Sequence, residues 1–339
     1  MDISFFQKIL FIILISFFVN LILTLIYINL AKKYSFFDIP ENISVHKKKI
    51  ITASGITFVI TFQVLGIIYF FTNISDNLNF EFYGKFWIFY FSILLLGIFF
   101  FFDDIKKINP VYKLFFQTTI LFLSIPLLNL NYFPFENYTK LNLIIGLYFW
   151  VYTINIINFT DGTDGFLSTN CLISFIAISL TEINQSNYSF ALMLSLISIG
   201  IMISYLIFNK PPAKIFMGDT GSIILGFTLF VCSYKLLIDG YWYIVFSYII
   251  YTYLDCTLTL INKILKGYLP WARLFDYNFL KPIKKNISNK LKVFYINLTY
   301  NLLILLIIIL QLYFQLNYLF VLSFILALFK IKIYKVLGG

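Results

Sequence analysis

The feature that most constrains this chain is a series of long apolar segments that recurs from one end of the sequence to the other. A helix needs about 20 apolar residues to cross a bilayer, and backbone groups in lipid must form their hydrogen bonds internally. The segments lack the strict alternation of membrane barrels, so they predict an all-α polytopic membrane protein. Eleven spans are predicted, at about residues 5–31, 51–72, 85–102, 112–130, 141–158, 166–182, 189–208, 221–238, 241–261, 292–313 and 317–330.

The composition agrees with this class and excludes several others. Of the 339 residues, 60% are hydrophobic and only 12% are charged, whereas soluble domains are about 45–50% apolar and about a quarter charged. A soluble globular enzyme, a disordered chain and a secreted disulfide scaffold are therefore excluded. The three cysteines lie inside apolar runs, which argues against a disulfide framework, and one histidine is too few for a histidine-based zinc site.

The basic residues predict the orientation in the membrane. Of the 25 Lys and Arg residues, 21 fall after spans 1, 3, 7 and 9 or at the C-terminus. Cytoplasmic loops are enriched in these residues, so we predict an external N-terminus and a cytoplasmic C-terminus, as an odd number of spans requires. The net charge of +10 is explained by this sidedness without nucleic acid. We predict a single transmembrane domain over residues 1–339, with cytoplasmic loops at about 32–50, 103–112, 159–165, 209–220 and 262–291.

Two acidic groups lie at the predicted cytoplasmic ends of spans 3 and 5. Asp103 and Asp104 are adjacent, and neighbouring carboxylates repel, which favours a metal or a shared proton, although a solvated span end is the simpler reading. Asn155, Asn158 and Asp161 recur every three residues, so a helix end places them on one face. Their oxygen atoms suit a hard cation such as Mg²⁺, or the donors of a ribose and a base.

Two further polar segments follow the same side of the predicted bundle. In residues 209–222 two prolines end span 7, and Asp219 and Thr220 are candidate N-caps of span 8. The free N–H groups of a helix N-terminus bind anions, and a carboxylate beside them can hold the counter-metal. His46 precedes three lysines, which bind either anionic lipid head groups or a diphosphate.

These segments together resemble the polyprenyl-phosphate N-acetylhexosamine-1-phosphate transferases, in order and spacing, over about residues 30–265. The resemblance rests on the paired aspartates, the 155–165 block and the 212–222 block, which is the most specific. Lys113 and Gln117 are similar to a Lys–Leu–x–x–Gln pattern of that family. The eleven-span plan matches the branch that initiates surface glycans, rather than the ten-span branch of peptidoglycan synthesis.

The resemblance implies a reaction and its participants. Such enzymes transfer a sugar 1-phosphate from a UDP-sugar to a polyprenyl phosphate, require Mg²⁺ and release UMP. We therefore expect a UDP-N-acetyl sugar as donor and undecaprenyl phosphate as acceptor, at the cytoplasmic face of a bacterial inner membrane. Mn²⁺ is an alternative metal, membrane lipid is the surrounding partner, and homodimerisation is left open. Direct attack by the lipid phosphate is preferred over a covalent aspartyl route, which stays open.

The resemblance also implies roles for individual residues. Asp219 is expected to bind the metal. Asp103 or Asp104 is expected to orient or deprotonate the lipid phosphate, or to help hold the metal. Asp164 is expected to contact uridine. The catalytic candidates are Asp103, Asp104, Asp161 and Asp219. The metal ligand candidates are Asp219, Asp103 and Asn158. The substrate-binding candidates are Asn155, Asn158, Asp164, Phe216 (for stacking on uracil), Lys106, Lys107 and Lys113 (for phosphate), His46 and Arg273.

The sequence departs from the family pattern in two cytoplasmic loops. In the first, Ile43 replaces an arginine and Ser54 replaces one glycine of a pair, while His46 and Gly55 remain. In the last, the usual histidine-rich motif is absent, and Arg273 either replaces its cation or belongs to an interfacial aromatic segment. The donor sugar is therefore undetermined.

Three other functions are compatible with a chain of this class. A flippase or transporter of lipid-linked sugars would place charges within the membrane along a cavity, whereas here the acids gather at the cytoplasmic ends. A polysaccharide polymerase would carry a large external loop, and none is predicted. A catalytically altered homologue would fold but show no activity.

Overall fold

The computed structural model describes residues 3–40, 46, 48–72, 80–128, 138–185, 189–269 and 276–339. Within these ranges, eleven helices have 14 or more residues, and one short two-stranded sheet is present. The long helices are α1 (Ile3–Tyr34), α2 (Ile56–Thr72), α3 (Phe80–Lys106), α4 (Pro110–Leu123), α5 (Thr139–Thr160), α6 (Phe166–Asn184), α7 (Phe190–Asn209), α8 (Gly218–Ile238), α9 (Trp242–Leu265), α11 (Lys290–Phe314) and α12 (Phe320–Gly338). The short helix α10 spans Lys281–Lys285, and the strands are β1 (Phe37–Asp38) and β2 (Ile50–Ile51).

The prediction of an all-α polytopic membrane protein is confirmed. Eight of the described helices are long and apolar enough to cross a membrane, and α2 and α4 are shorter apolar helices. Two boundaries differ from the sequence expectation. Helix α3 continues to Lys106, so that the paired aspartates lie in its last turn, and α4 ends at Leu123 because Pro126 cannot donate the hydrogen bond that would continue it.

Helix α8 forms the centre of the bundle and is the most buried of the candidate spans. It packs against α3 and α5 on one side and against α6 and α7 on another, and α1 lies along α7. Glycines allow two of these close approaches. A Cβ at Gly200 of α7 would meet Ser16 Oγ of α1 at 2.0 Å, and one at Gly226 of α8 would meet Ile154 Cα of α5 at 2.9 Å.

Polar side chains buried between the helices are hydrogen-bonded to one another. Asn20 of α1 donates from Nδ2 to Ser204 Oγ of α7 (2.7 Å) and accepts at Oδ1 from Thr61 Oγ1 of α2 (3.3 Å). Lys330 of α12 donates to Asn297 Oδ1 of α11 (2.6 Å) and lies 3.6 Å from the ring centroid of Tyr251 of α9. A polar group without a partner is costly in an apolar interior, so these contacts fix which helix faces meet.

The helices alternate in direction, which brings one set of ends together. The ends of α3, α5 and α7 and the starts of α4, α6, α8 and α11 are linked by hydrogen bonds and ion pairs. Strand β2 also pairs in parallel with Ile215, so that the segment before α8 lies beside the small sheet after α1. The polar loops of the chain therefore converge at one end of the bundle, which we call the polar end.

Candidate functional site

The centre of the site is a group of three carboxylates at the polar end. Asp103 and Asp104 lie in the last turn of α3, and Asp219 lies in the first turn of α8. One oxygen from each carboxylate lies within 4.8 Å of the other two. Because the packing of α3 against α8 sets this spacing, residues 115 positions apart in sequence form one cluster.

A lysine from a third helix is inserted into this cluster. Lys113 of α4 places its Nζ 2.5 Å from Asp103 Oδ2 and 2.9 Å from Asp219 Oδ2. The second oxygen of Asp103 accepts a hydrogen bond from the backbone N–H of Ile108 (2.7 Å). The turn between α3 and α4 therefore fixes both the carboxylate and the lysine that faces it.

Asp104 has a different environment from its neighbour. Its Oδ1 accepts from the backbone N–H of Asp219 (2.8 Å), and its Oδ2 accepts from the N–H (3.1 Å) and the hydroxyl (2.5 Å) of Thr220. It therefore caps the N-terminus of α8 from another helix. Gly218 permits this contact, since it has a φ of +70° and a Cβ there would meet Asp104 Oδ2 at 2.3 Å.

The end of α5 borders the cluster. Asn158 accepts a hydrogen bond at Oδ1 from Ser222 Oγ of α8 (2.8 Å). The Asp161 N–H donates to Asn158 O (3.1 Å), whereas its half-buried side chain forms no hydrogen bond or ion pair with the described residues. Burial, and then the negative charges of Asp219 and Asp164, raise the pKa of Asp161 to about 7. Asp161 is therefore a carboxyl group available to a partner from outside the chain.

The segment that carries Phe216 is held by the first polar loop. The Phe216 N–H donates to Ile51 O (2.7 Å), and the Phe216 carbonyl accepts from both the N–H (3.2 Å) and the hydroxyl (2.8 Å) of Ser54. The ring of His46 packs edge-on against Phe216 with centroids 5.4 Å apart, and its Nε2 lies 3.7 Å from Asp38 Oδ2. Ser54, where the family pattern has a glycine, thus adds a hydrogen bond to this segment.

Asp164 joins three parts of the chain. Its Oδ1 pairs with Lys290 Nζ at the start of α11 (2.6 Å), and its Oδ2 accepts from the backbone N–H of Ala213 (3.0 Å). Asn209 holds the same region, accepting from Gly165 N (3.1 Å) and donating to Ile215 O (3.0 Å). Both Asp164 oxygens thus have protein partners, and its contact with uridine stays a prediction.

The structure places some candidates away from the cluster. Asn155 donates from Nδ2 to Val151 O of its own helix (2.7 Å), and Lys106 and Lys107 are exposed at the end of α3. Arg273 and Lys47 lie outside the described residues. Sequence reasoning missed Lys290, because a lysine in a basic loop carries no signal of its partner.

The donor atoms of the cluster fit a divalent cation. All are carboxylate oxygens, the ligands that Mg²⁺ and Mn²⁺ prefer. Asp103 and Asp219 share the single lysine that reaches the cluster among the described residues, so an excess of negative charge remains. Asp219 Oδ1 accepts no hydrogen bond from the described part of the chain, and the Asp219 side chain is 30% exposed. Asp219 and Asp103 are therefore the best placed ligands.

Comparisons with known proteins agree with this arrangement. Residues 86–237, which include the whole acidic cluster, match the model of glycosyl transferase family 4. The phospho-N-acetylmuramoyl-pentapeptide-transferase of Streptococcus uberis is 35% identical over 160 residues, which is 42% of this chain and 48% of the relative. The enzyme of that name from Bacillus subtilis is 45% identical over 83 residues, 24% of this chain and 25% of the relative. The chain thus spans about half the length, or less, of the curated relatives that it matches.

Proposed function

We propose, because residues 86–237 match glycosyl transferase family 4 as the motifs predicted, that this chain transfers a sugar 1-phosphate from a UDP-sugar to a polyprenyl phosphate. The observation that carries the proposal is the cluster of Asp103, Asp104 and Asp219 at the polar end of a bundle of apolar helices. A lipid-anchored phosphate and a water-soluble nucleotide can meet only at such a boundary. The donor in this proposal is a UDP-N-acetyl sugar and the acceptor is undecaprenyl phosphate.

In the proposed reaction an oxygen of the lipid phosphate attacks the phosphorus that carries the sugar. The anhydride bond to the second phosphorus breaks, and its electron pair leaves with UMP. Catalysis of this kind consists mainly of positioning and charge stabilisation. The carboxylates Asp219 and Asp103 would hold Mg²⁺ or Mn²⁺, which when bound neutralises the diphosphate and stabilises the leaving group.

The remaining residues of the site bind and orient the substrates in this proposal. Lys113 supplies a positive charge for the phosphates, and Asp161 is free to accept a hydrogen bond or a proton from an incoming group. Phe216, held by Ser54 and Ile51, offers an aromatic ring for the uracil. Asp104 positions α8 through its cap and so acts on Asp219 rather than on the substrate.

The orientation of the bundle follows from the same proposal. UDP-sugars are cytoplasmic, so we place the polar end at the cytoplasmic face of a bacterial inner membrane. The C-termini of α1 and α12 both lie at the polar end, where Phe36 contacts Phe101 and Gly338 contacts Lys281. This supports eleven crossings of a single domain, with an external N-terminus and a cytoplasmic C-terminus.

A direct assay tests the proposal. Purified protein is incubated with undecaprenyl phosphate, Mg²⁺ and a panel of UDP-N-acetyl sugars, and UMP release is measured. Asp219→Asn should reduce turnover at least about a thousandfold, because it removes a charged ligand at the reacting phosphates. Asp239→Asn, at the far end of α8, is the matched control and should retain activity.

Two outcomes would contradict the proposal. Absence of UMP with every sugar would reject the transferase and favour a catalytically altered homologue. Movement of a lipid-linked sugar across vesicles without UMP release would favour a flippase. Retained Mg²⁺-dependent turnover in Asp219→Asn would reject the role given to Asp219.

A further inference from the structure

The position of Lys113 in the acidic cluster has a consequence for metal binding. Its Nζ lies between Asp103 Oδ2 and Asp219 Oδ2, at 2.5 and 2.9 Å, and it approaches both from a separate helix. We propose that Lys113 is an internal counter-ion that occupies the divalent-cation position and moves out of it when the metal binds. This inference rests on the proposed function only in that the cluster binds a divalent cation.

The oxygen atoms of the three carboxylates differ in their availability to a metal. Both oxygens of Asp104 are taken by the N-terminus of α8, and one oxygen of Asp103 is taken by the N–H of Ile108. The oxygens that face each other across the cluster are therefore Asp103 Oδ2 and Asp219 Oδ2, and these are the two that Lys113 contacts. Asp219 Oδ1 accepts no hydrogen bond from the described residues, but a metal that joins Asp103 to Asp219 still needs Asp103 Oδ2 and a position between the two carboxylates, where Lys113 Nζ lies.

The space between Asp103 and Asp219 is too small for both a metal ion and the ammonium group of Lys113. A magnesium ion lies about 2.0–2.1 Å from its oxygen ligands, and the lysine nitrogen already lies within 3 Å of both oxygens. An ammonium group and a divalent cation between the same pair of oxygens would be closer together than any ion contact, and their repulsion would be strong in a half-buried site. Binding of the metal and this position of Lys113 therefore exclude each other.

The side chain of Lys113 is free to move out of the cluster. The N–H of Ile108 holds the Asp103 carboxylate, and the first turn of α8 fixes the backbone of Asp219, so neither anchor depends on Lys113. Lys113 lies in the first turn of α4, beside the exposed start of that helix, and its side chain is 22% exposed on a flexible four-carbon stem. Once displaced, its charge remains within reach of the cluster and is free to pair with a phosphate brought by the substrate.

Lys113 thus has two successive partners in this proposal. Before the metal binds, it compensates carboxylates that would otherwise repel one another across the contact between α3 and α8. After the metal binds, the lysine becomes an unpaired cation at the entrance of the site. If Lys113 were only a structural tie between α3, α4 and α8, its loss would weaken the arrangement of the carboxylates and with it the affinity for metal.

The affinity for Mn²⁺ distinguishes these two roles. The full chain in detergent, without substrate, is titrated with Mn²⁺, and free Mn²⁺ is followed by its EPR signal. Lys113→Met should bind Mn²⁺ about tenfold more tightly than the unmodified protein, because it removes a like charge from the ligand atoms. Lys113→Arg keeps a competing cation and should bind about as the unmodified protein does. Lys266→Met, an exposed lysine at the polar end, measures the general effect of losing one charge.

A second measurement needs no substitution at the site. Amine-reactive labelling of Lys113 in the unmodified protein, followed by mass spectrometry, should become faster when Mg²⁺ is added, since the displaced amine leaves its ion pairs. Lys266 serves as the internal reference, and its labelling rate should not change.

The results separate failure of this inference from failure of the proposed function. Unchanged or weaker Mn²⁺ binding in Lys113→Met, with binding lost in Asp219→Asn, would overturn the inference and leave the metal site intact. Mg²⁺-independent labelling of Lys113 would overturn it equally. If neither the unmodified protein nor Lys113→Met binds Mn²⁺, the metal site itself, and with it the proposed function, is wrong.

Discussion

At the residue scale, adjacent carboxylates of this site have separate tasks. Successive residues of a helix point in directions about 100° apart, so Asp103 and Asp104 reach Asp219 from different sides and form different contacts. Asp103 faces Lys113 and the proposed metal position, whereas both oxygens of Asp104 accept hydrogen bonds from the start of α8. The carboxyl group of Asp161, by contrast, has no hydrogen-bonding partner among the described residues. Asp103 and Asp219 are thus the proposed metal ligands, Asp104 caps α8, and the side chain of Asp161 has no partner among the described residues.

The free carboxyl of Asp161 predicts a pH-dependent stability. Its pKa is raised to about 7 in the folded protein, above the ordinary value of 3.8, by burial and neighbouring carboxylates. The folded state therefore holds this proton more tightly than the unfolded state, and the stability that this provides is lost as the pH rises from about 4 to about 7. Asp161→Asn removes this loss. In EDTA, the variant should melt several degrees above the unmodified protein at pH 8, with a smaller difference at pH 5.

The comparison with Asp276→Asn controls for a general effect of removing an acid, because Asp276 is only partly buried and pairs with Lys284 at the surface. Equal melting temperatures of the Asp161→Asn variant and the unmodified protein at pH 8 would contradict the raised pKa of Asp161.

At the scale of elements, the segment between α7 and α8 is held from several sides. Strand β2 and Ser54 bind the backbone at Phe216, and Asn209 binds Ile215. Asp164, at the start of α6, binds Ala213 and is itself paired with Lys290 of α11. Helix α11 is remote in sequence from the acidic cluster. Through the ion pair between Lys290 and Asp164, it is nevertheless connected to the segment before α8, which positions the cluster.

This ion pair predicts a coupling between two substitutions. Lys290→Met leaves the buried carboxylate of Asp164 without its cation and should cost about 3–5 kcal/mol of stability. The double variant Lys290→Met/Asp164→Asn removes the uncompensated charge and should recover most of that loss. Denaturation in detergent measures both, with Lys292→Met as a control at an exposed position of α11. Additive losses in the double variant would show that the pair is not coupled.

At the scale of the whole molecule, the alternation of the helices gathers all the chemistry at one end. The described helix ends that meet at the polar end carry the acidic cluster, Asp161 and the Phe216 segment. The rest of the bundle presents apolar side chains on its outer faces, as a protein surrounded by lipid must. The site is thus placed at the boundary between lipid and water.

The orientation of this bundle can be tested in cells. All three natural cysteines are buried, so they leave a low background for labelling with a membrane-impermeant maleimide. Lys140→Cys, at the exposed start of α5, should be labelled from outside, and Gly339→Cys should be labelled only after the cells are opened. Labelling in the reverse pattern would invert the proposed topology and place the acidic cluster outside.

The sequence by itself determined the class of the fold and the motifs of the site. Apolar length decides whether a helix can cross a bilayer, so the long described helices overlap the predicted spans with shifted boundaries such as 112–130, and eight of them are long and apolar enough to cross. The 212–222 block and the paired aspartates predicted the family, and residues 86–237, which include both motifs, match the model of glycosyl transferase family 4. These properties are local, because they depend on residues that are close in the chain.

Only the tertiary structure decided which of these residues act together. From the sequence alone, Asp103 and Asp104 could not be distinguished, no residue of the chain could be named as the contact of Lys113, and Lys290 had no assigned role. The facing of α3, α4 and α8 places Lys113 between Asp103 and Asp219, and the start of α11 places Lys290 on Asp164. The physical reason is that an ion pair depends on distances of a few ångströms between helices far apart in sequence, which helix packing sets and local pattern does not record.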